Sequence, residues 1–171
     1  SGALLMISNA LNQVWAPRFY NSFTKESFVE LEKKNCYFYG ILAVLLGIAV
    51  SLILQFYPIA LGLIGGNLTY YSEMRLELYL ILASYIIYTP IWQYRIHFYA
   101  NSMGTELMKI TALSSIAGLL TMVFCIKFFG SIGTYYGFFL MNLINLLVIS
   151  FIARTKWNLM INWFGVLAGC I

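Results

Sequence analysis

Aspartate is absent from this chain, and histidine occurs once, at His97. Only 9% of the 171 residues are charged, where soluble domains average about 25%. So small a polar supply cannot cover a water-exposed surface, and lipid is the expected solvent for much of the chain. The six acidic residues are all glutamates, and they fall in expected loops or helix ends. They offer no carboxylate pair for acid–base work, no nucleophile–base pairing and no metal-ligand cluster. A Gly-rich phosphate loop is also missing. Cys36, Cys125 and Cys170 lie far apart with no C-x-x-C pair, which excludes zinc and thiol-redox motifs. No enzyme activity, metal or cofactor is therefore expected. The chain lacks the basic start, short apolar core and small-residue cleavage site of a signal peptide. It opens at Ser1 directly into apolar sequence and closes in an apolar run. The expectation is one transmembrane domain over 1–171, cut from a larger protein.

What is present is apolar and aromatic: 61% hydrophobic residues, with 13 Tyr, 13 Phe and 4 Trp. Aromatic rings favour the headgroup level of a bilayer. A spanning helix needs about 20 mainly apolar residues. Five segments meet or approach that: 1–16 (stopped by Pro17), 37–64, 76–101, 105–128 and 134–153. A sixth apolar stretch, 159–171, is too short to span as it stands. The predicted fold class is all-α, a polytopic bundle of about five spanning helices plus a partial sixth. Turns are expected at Gly65-Gly66-Asn67 and between Gly130 and Gly133, with Ser72 capping the third helix. In the long first loop, Ser27-Phe-Val-Glu30 has the capping-box pattern. Glu30 and Lys34 are spaced to meet on a helix. Both predict a short surface helix running into the second span.

Basic residues set the orientation. One side of the predicted topology holds Arg18, Lys25, Lys33, Lys34, Arg95, Lys109, Arg154 and Lys156; the other holds Arg75 and Lys127. The richer side is expected to be cytoplasmic. These charges are scattered, without the concentrated basic face that nucleic-acid binding requires.

Polar residues follow helical stripes. Asn9, Asn12, Gln13, Ala16 and Tyr20 share one face of the first helix. Tyr85, Tyr88, Thr89, Trp92, Arg95 and Tyr99 form a second stripe on the third helix, with Gln93 alongside. Tyr135, Phe138, Asn142 and Asn145 lie on one face of the fifth. In lipid such stripes must look at protein or water. Two readings are open: hydrogen bonds that hold the bundle together, or a wet cavity for a polar, uncharged solute such as a sugar. The cavity candidates are Asn9, Asn12, Gln13, Tyr20, Tyr85, Tyr88, Trp92, Arg95, Tyr99, Asn142 and Asn145. Thr111, Ser115, Gly118 and Met122 make a face of mostly small residues on the fourth helix, which reads as close helix packing. Arg95 lies near the cytoplasmic edge of its helix. There it either snorkels to headgroups or faces the inner mouth of a cavity.

Several patterns resemble a known family. Asn9, followed by Trp15-Ala16-Pro17-Arg18-Phe19-Tyr20 at the end of a polar helix, is similar to the Trp-x-Pro-x-(Phe/Tyr) pattern of bacterial polysaccharide flippases of the Wzx type. Gly65-Gly66 and Tyr70-Tyr71 resemble that family's Gly-rich turn and Tyr. Phe129-Gly130-Ser131-Ile132-Gly133 resembles its Phe-Gly-x-x-Gly connection, although Lys127 and Thr134 stand where the family has Pro and Ala. The resemblance implies a MATE-like fold of two six-helix lobes, with this chain supplying most of the C-terminal one. It implies a multi-pass protein of the bacterial inner membrane that moves undecaprenyl-pyrophosphate-linked oligosaccharide for O-antigen and lipopolysaccharide synthesis. The implied partners are membrane lipid, the lipid-linked oligosaccharide and an N-terminal lobe of the same protein, with no nucleic acid. A drug/cation antiporter or peptidoglycan-precursor flippase of the same fold is the alternative. A membrane-bound polysaccharide polymerase or acyltransferase is the alternative of another class.

Overall fold

The computed structural model describes residues 2–64, 74–159, 166, 167 and 170. Among the described residues every regular element is helical: α1 (Gly2–Phe23), α2 (Phe28–Ile64), α3 (Arg75–Ala100), α4 (Gly104–Phe129) and α5 (Gly133–Trp157), with a 3₁₀ turn at Gly130–Ile132. The expected turn at Gly65-Gly66-Asn67, the Tyr70-Tyr71 pair and the Ser72 cap lie outside the described residues, as does most of 159–171.

Two boundaries differ from the sequence reading. Pro17 does not stop α1, which continues to Phe23. A proline removes one backbone donor and crowds the preceding turn. Pro17 is exposed, so that defect falls on an unpacked face. Phe19, 1% exposed, anchors the following turn against Leu31 and Ile96. The second difference is larger. The helix expected from the capping box starts where that pattern places it and continues without a break into the second apolar segment, so Phe28–Ile64 is one helix of 37 residues, with part of its first turns buried. Ser27 caps it, its Oγ accepting the Glu30 N–H at 3.4 Å. Buried Leu31, Asn35, Tyr39 and Leu42 continue one face across the expected junction, so nothing breaks the helix there. Lys34 pairs with Glu26 at 2.8 Å rather than with Glu30. Glu26 sits before the cap and also accepts from Ser22 Oγ at 3.2 Å.

Neighbouring helices run antiparallel. Trp15 meets Asn35 while Asn12 meets Tyr39, which fixes α1 against α2. Asn35 contacts His97 while Leu46 and Val50 pack in one cluster with Leu82 and Ile86, which fixes α2 against α3. A second apolar cluster joins Ile91, Tyr94 and Phe98 of α3 to Leu107 and Ile110 of α4 and Leu146, Ile149 and Ala153 of α5. One end of the bundle thus gathers the C-termini of α1, α3 and α5 with the N-termini of α2 and α4. The eight basic residues of the richer side lie at or near that end.

α4 and α5 are joined by a turn that needs glycine twice. Gly130 adopts φ 63°, ψ −142°, a backbone region costly to residues with a Cβ. Gly133 lies so close to the Cys125 carbonyl that a side chain there would collide with backbone. The small face of α4 is rotated from the expected one. Ser115 is exposed, and Ser114 is buried in line with Gly118 and Cys125.

Among the described residues two stretches are long and apolar enough to cross a bilayer: Phe28–Ile64, and the run Gly104–Trp157 that contains α4, the turn and α5. By that criterion the five expected crossings reduce to two stretches. α1 and α3 fall short of it because their polar stripes dilute their hydropathy.

Candidate functional site

Two helices supply the polar surface, and the site begins with their spacing. On α1, Asn12, Ala16 and Tyr20 stand four residues apart; on α3, Trp92, Arg95 and Tyr99 follow steps of three and four. Steps of this size stay on one helix face. α1 and α3 are both antiparallel to α2, so the two stripes run in the same direction. Together with Ile96 these six residues line one cavity of about 230 Å³. Sites that enclose a drug-sized ligand measure roughly 300–1,000 Å³. This one suits a single sugar ring or a phosphate-sized group.

Arg95 is the charged group of the cavity wall. Its guanidinium carbon lies 5.3 Å from the centre of the Tyr88 ring, within cation–π range. Tyr88 meets Trp92 edge-on, with ring centres 5.6 Å apart. The Arg95 Nε is buried without a hydrogen-bond partner. A buried donor left unpaired costs about 1–3 kcal/mol, a cost that an acceptor in the cavity would relieve. Asn12 is held in place by Tyr39, whose hydroxyl donates to Asn12 Oδ1 at 2.6 Å.

Five of the eleven sequence candidates therefore line the cavity: Asn12, Tyr20, Trp92, Arg95 and Tyr99. Tyr88 buttresses it through Arg95 and Trp92, and Tyr85 is half-buried one turn earlier. Asn9 and Gln13 are exposed on α1 and are not part of its lining. Asn142 and Asn145 are buried on α5, away from it. Asn142 donates to the Phe138 carbonyl of its own helix at 3.1 Å.

The sequence reading missed a second polar group just behind this wall. Glu32 lies in the second turn of α2, but its side chain is turned into the bundle, 14% exposed and bonded to fully buried His97. His97 Nε2 is 2.6 Å from Glu32 Oε2 and 3.1 Å from Asn35 Nδ2. Gln93 Nε2 donates to Glu32 Oε1 at 3.1 Å. Asn35, also fully buried, accepts the Trp15 indole N–H at 3.0 Å. Its amide reaches the Gln93 carbonyl at 3.4 Å. The signal was present: Glu32, Asn35 and Tyr39 step by three and four along α2, as Gln93 and His97 step by four on α3. It was overlooked because the first turns of α2 were expected to lie on the surface, where Glu32 and Asn35 would face solvent. Among the described residues no group of three or more His, Cys or Glu could hold a metal ion.

Comparison with known proteins finds no matching family model, no matching curated protein and no matching solved structure.

Proposed function

We propose that this chain is part of a membrane transporter that moves a lipid-linked oligosaccharide across the bilayer. The cavity between α1 and α3 takes the anionic, sugar-bearing head of the substrate. The observation that carries this reading is the convergence of Asn12, Tyr20, Trp92, Tyr99 and Arg95 on one cavity. Amides and phenols bond sugar hydroxyls, indole and phenol rings stack on sugar faces, and a guanidinium matches a phosphate through two parallel N–H bonds.

Surface chemistry supports the membrane setting. Large apolar side chains such as Leu63, Met108, Leu120, Val123 and Phe151 are exposed. Only 39% of the most apolar part of Phe28–Ile64 and 28% of that of Gly104–Trp157 is buried, whereas the core helix of a soluble protein is mostly buried. At 1.5 Å per residue α2 is about 55 Å long, against roughly 30 Å of hydrocarbon. Its first turns, with Glu30, Lys33 and Lys34, then stand at the headgroup level on the cytoplasmic side. α1 and α3 cross beside it with their polar stripes turned to the cavity. The resemblance to polysaccharide flippases, and with it the bacterial inner membrane, belongs to this proposal.

Arg95→Lys is the test. It keeps the charge and the snorkelling reach but loses the two-pronged donor. We expect surface-polysaccharide export to fall about tenfold, some 1.4 kcal/mol of lost interaction, at matched protein level. Export equal to wild type would sink the phosphate-binding role of Arg95 and leave it a headgroup anchor.

A further inference from the structure

A second groove, of about 550 Å³, runs between α2 and the end of α5, and it shares no residue with the cavity between α1 and α3. Phe28, Glu32, Lys33 and Tyr37 of α2 stand on one side of it, Trp157 and Asn158 of the α5 end on the other. The His97 ring of α3 lies between the two walls, with its centre 5.8 Å from that of the Phe28 ring and 6.3 Å from that of Trp157. Phe28, Tyr37 and Trp157 thus bring three aromatic rings to a groove at the charged end of the bundle. That is the level at which rings meet lipid headgroups.

The groove holds one charge of each sign. Lys33 is exposed. Among the described residues it takes part in none of the ion pairs, which use Lys34, His97 and Lys156. Glu32 is the acidic counterpart. Its Oε2 is bonded to His97 and its Oε1 accepts from Gln93. A carboxylate has about four acceptor sites, and this side chain is still 14% exposed, so it can accept a further donor from the groove. The helix ends act in the same sense. α2 starts and α5 ends at the groove, and a helix start favours an anion, a helix end a cation. Beyond the charges the groove continues into apolar surface. Val29, Lys33, Tyr37, Ile41 and Leu45 step by four along α2, and all five are exposed. From Lys33 through Tyr37 to Ile41 and Leu45 the row passes from charge to ring to hydrocarbon, the order of a phospholipid from headgroup to acyl chain.

We infer that this groove binds a phospholipid whose headgroup carries a primary ammonium beside its phosphate, as in phosphatidylethanolamine. The phosphate meets Lys33, the ammonium donates to Glu32, and one acyl chain lies along Tyr37, Ile41 and Leu45. The Phe28 and Trp157 rings supply the π surface that an ammonium favours. Two other common headgroups match less well. A glycerol headgroup leaves the phosphate charge uncompensated and brings no cation to the carboxylate. A trimethylammonium has the charge but no N–H to donate. The site rests on the membrane setting proposed above and not on the export reading, since none of its residues lines the cavity between α1 and α3.

The test is native mass spectrometry of the detergent-solubilised protein. It is titrated with phosphatidylethanolamine, phosphatidylcholine or phosphatidylglycerol of identical acyl chains. We expect phosphatidylethanolamine to bind about tenfold tighter than either of the others, the scale of one charge-assisted hydrogen bond. Lys33→Gln, at an exposed position, should weaken all three about fivefold by removing the charged phosphate donor. Folded Glu32→Gln should bring phosphatidylethanolamine to within about twofold of phosphatidylcholine. Wild-type affinities equal within about twofold would overturn the inference without any variant. So would a phosphatidylethanolamine affinity that Lys33→Gln leaves unchanged, or a headgroup preference that folded Glu32→Gln retains, because the lipid would then sit elsewhere. A groove closed by a second copy would appear in the same spectra as a lipid-free dimer, which also overturns it. A chain that stays monodisperse in buffer without detergent would overturn the membrane setting and this site together. Selective binding by a protein that moves no lipid-linked sugar would refute the export reading alone.

Discussion

The two halves of the bundle are held together by different means. α1, α2 and α3 are tied by side-chain hydrogen bonds that cross between helices: Trp15 to Asn35, Tyr39 to Asn12, and Glu32 to Gln93 and His97. α4 and α5 are held by close approach. Gly118 faces Met141, and Gly137 lies against the backbone of Met122. In an apolar solvent both devices work, because neither relies on expelling water. Polar ties are strong only while every partner is satisfied. Small-residue packing depends instead on how closely two backbones can approach. The half that lines the cavity is the hydrogen-bonded one, and α4 with α5 is the brace beside it.

The sharpest way to break this contrast is to make the brace fail. A Cβ at Gly137 would lie 2.6 Å from the Met122 Cα, and backbone cannot step aside as a flexible side chain can. Gly137→Leu should cost about 3 kcal/mol or more, read as a shift in the denaturant midpoint in detergent. Gly62, on α2, has open space around it. Gly62→Leu should stay within about 0.5 kcal/mol of wild type. Equal effects at the two positions would remove the case for packing by close approach.

The next largest effect belongs to the polar half. Asn35→Leu keeps the volume but leaves the Trp15 N–H and the Glu32–His97 pair short of a partner. We expect a loss of about 2–4 kcal/mol. A double-mutant cycle with Trp15→Phe should recover about 1 kcal/mol of it as coupling. Additive single losses would mean that the 3.0 Å contact does not tie the two helices.

These two regions were unequally legible in the sequence. Hydropathy marked α3, α4 and α5 to within a few residues because their ends coincide with turns or polar clusters. The capping box marked the start of α2, but the charges at Glu30, Glu32, Lys33 and Lys34 made its first turns look like a surface helix, whereas Leu31 and Asn35 are buried. That error hid Glu32 and Asn35. The stripes on α1 and α3 were legible by spacing alone, and Asn12, Tyr20, Trp92, Arg95 and Tyr99 meet in one cavity. Asn142 and Asn145 obeyed the same spacing rule but face into helix packing. Spacing gives a shared face and does not say what that face meets.

Asn145 gives a smaller effect of opposite sign. The pairings Gly118–Met141 and Met122–Gly137 fix the antiparallel register of α4 and α5, and one more turn sets Ser114 against Asn145. Ser114 Oγ and Asn145 Oδ1 are both buried without partners. Replacing an unsatisfied polar group by an apolar one of similar size is neutral or stabilising. Asn145→Leu should raise stability by about 1 kcal/mol and leave export unchanged. A drop in export at matched level would return Asn145 to the substrate path.

The smallest effect concerns two pairings of the same chemical kind, a carboxylate with a basic nitrogen. His97 is fully buried and Glu32 nearly so; Glu26 and Lys34 lie at the junction of α1 and α2, where solvent screens them. The Lys34 ammonium holds the Glu26 carboxyl below its usual value, first through their hydrogen bond, against an opposing loss of hydration. A carboxyl lowered in the folded state contributes stability above its unfolded pKa. That contribution fades as pH falls through the folded value. An exposed pair of this kind is also weakened as salt shortens the screening length. Lys34→Ala should therefore leave the unfolding midpoint almost unchanged near neutral pH. What difference there is should vanish both on acidification below the carboxylate range and in about 1 M salt. A difference that survives high salt would show that Lys34 acts by packing its stem on α1 and α2 rather than by its charge. In that case exposure would not be what separates this pair from the buried one.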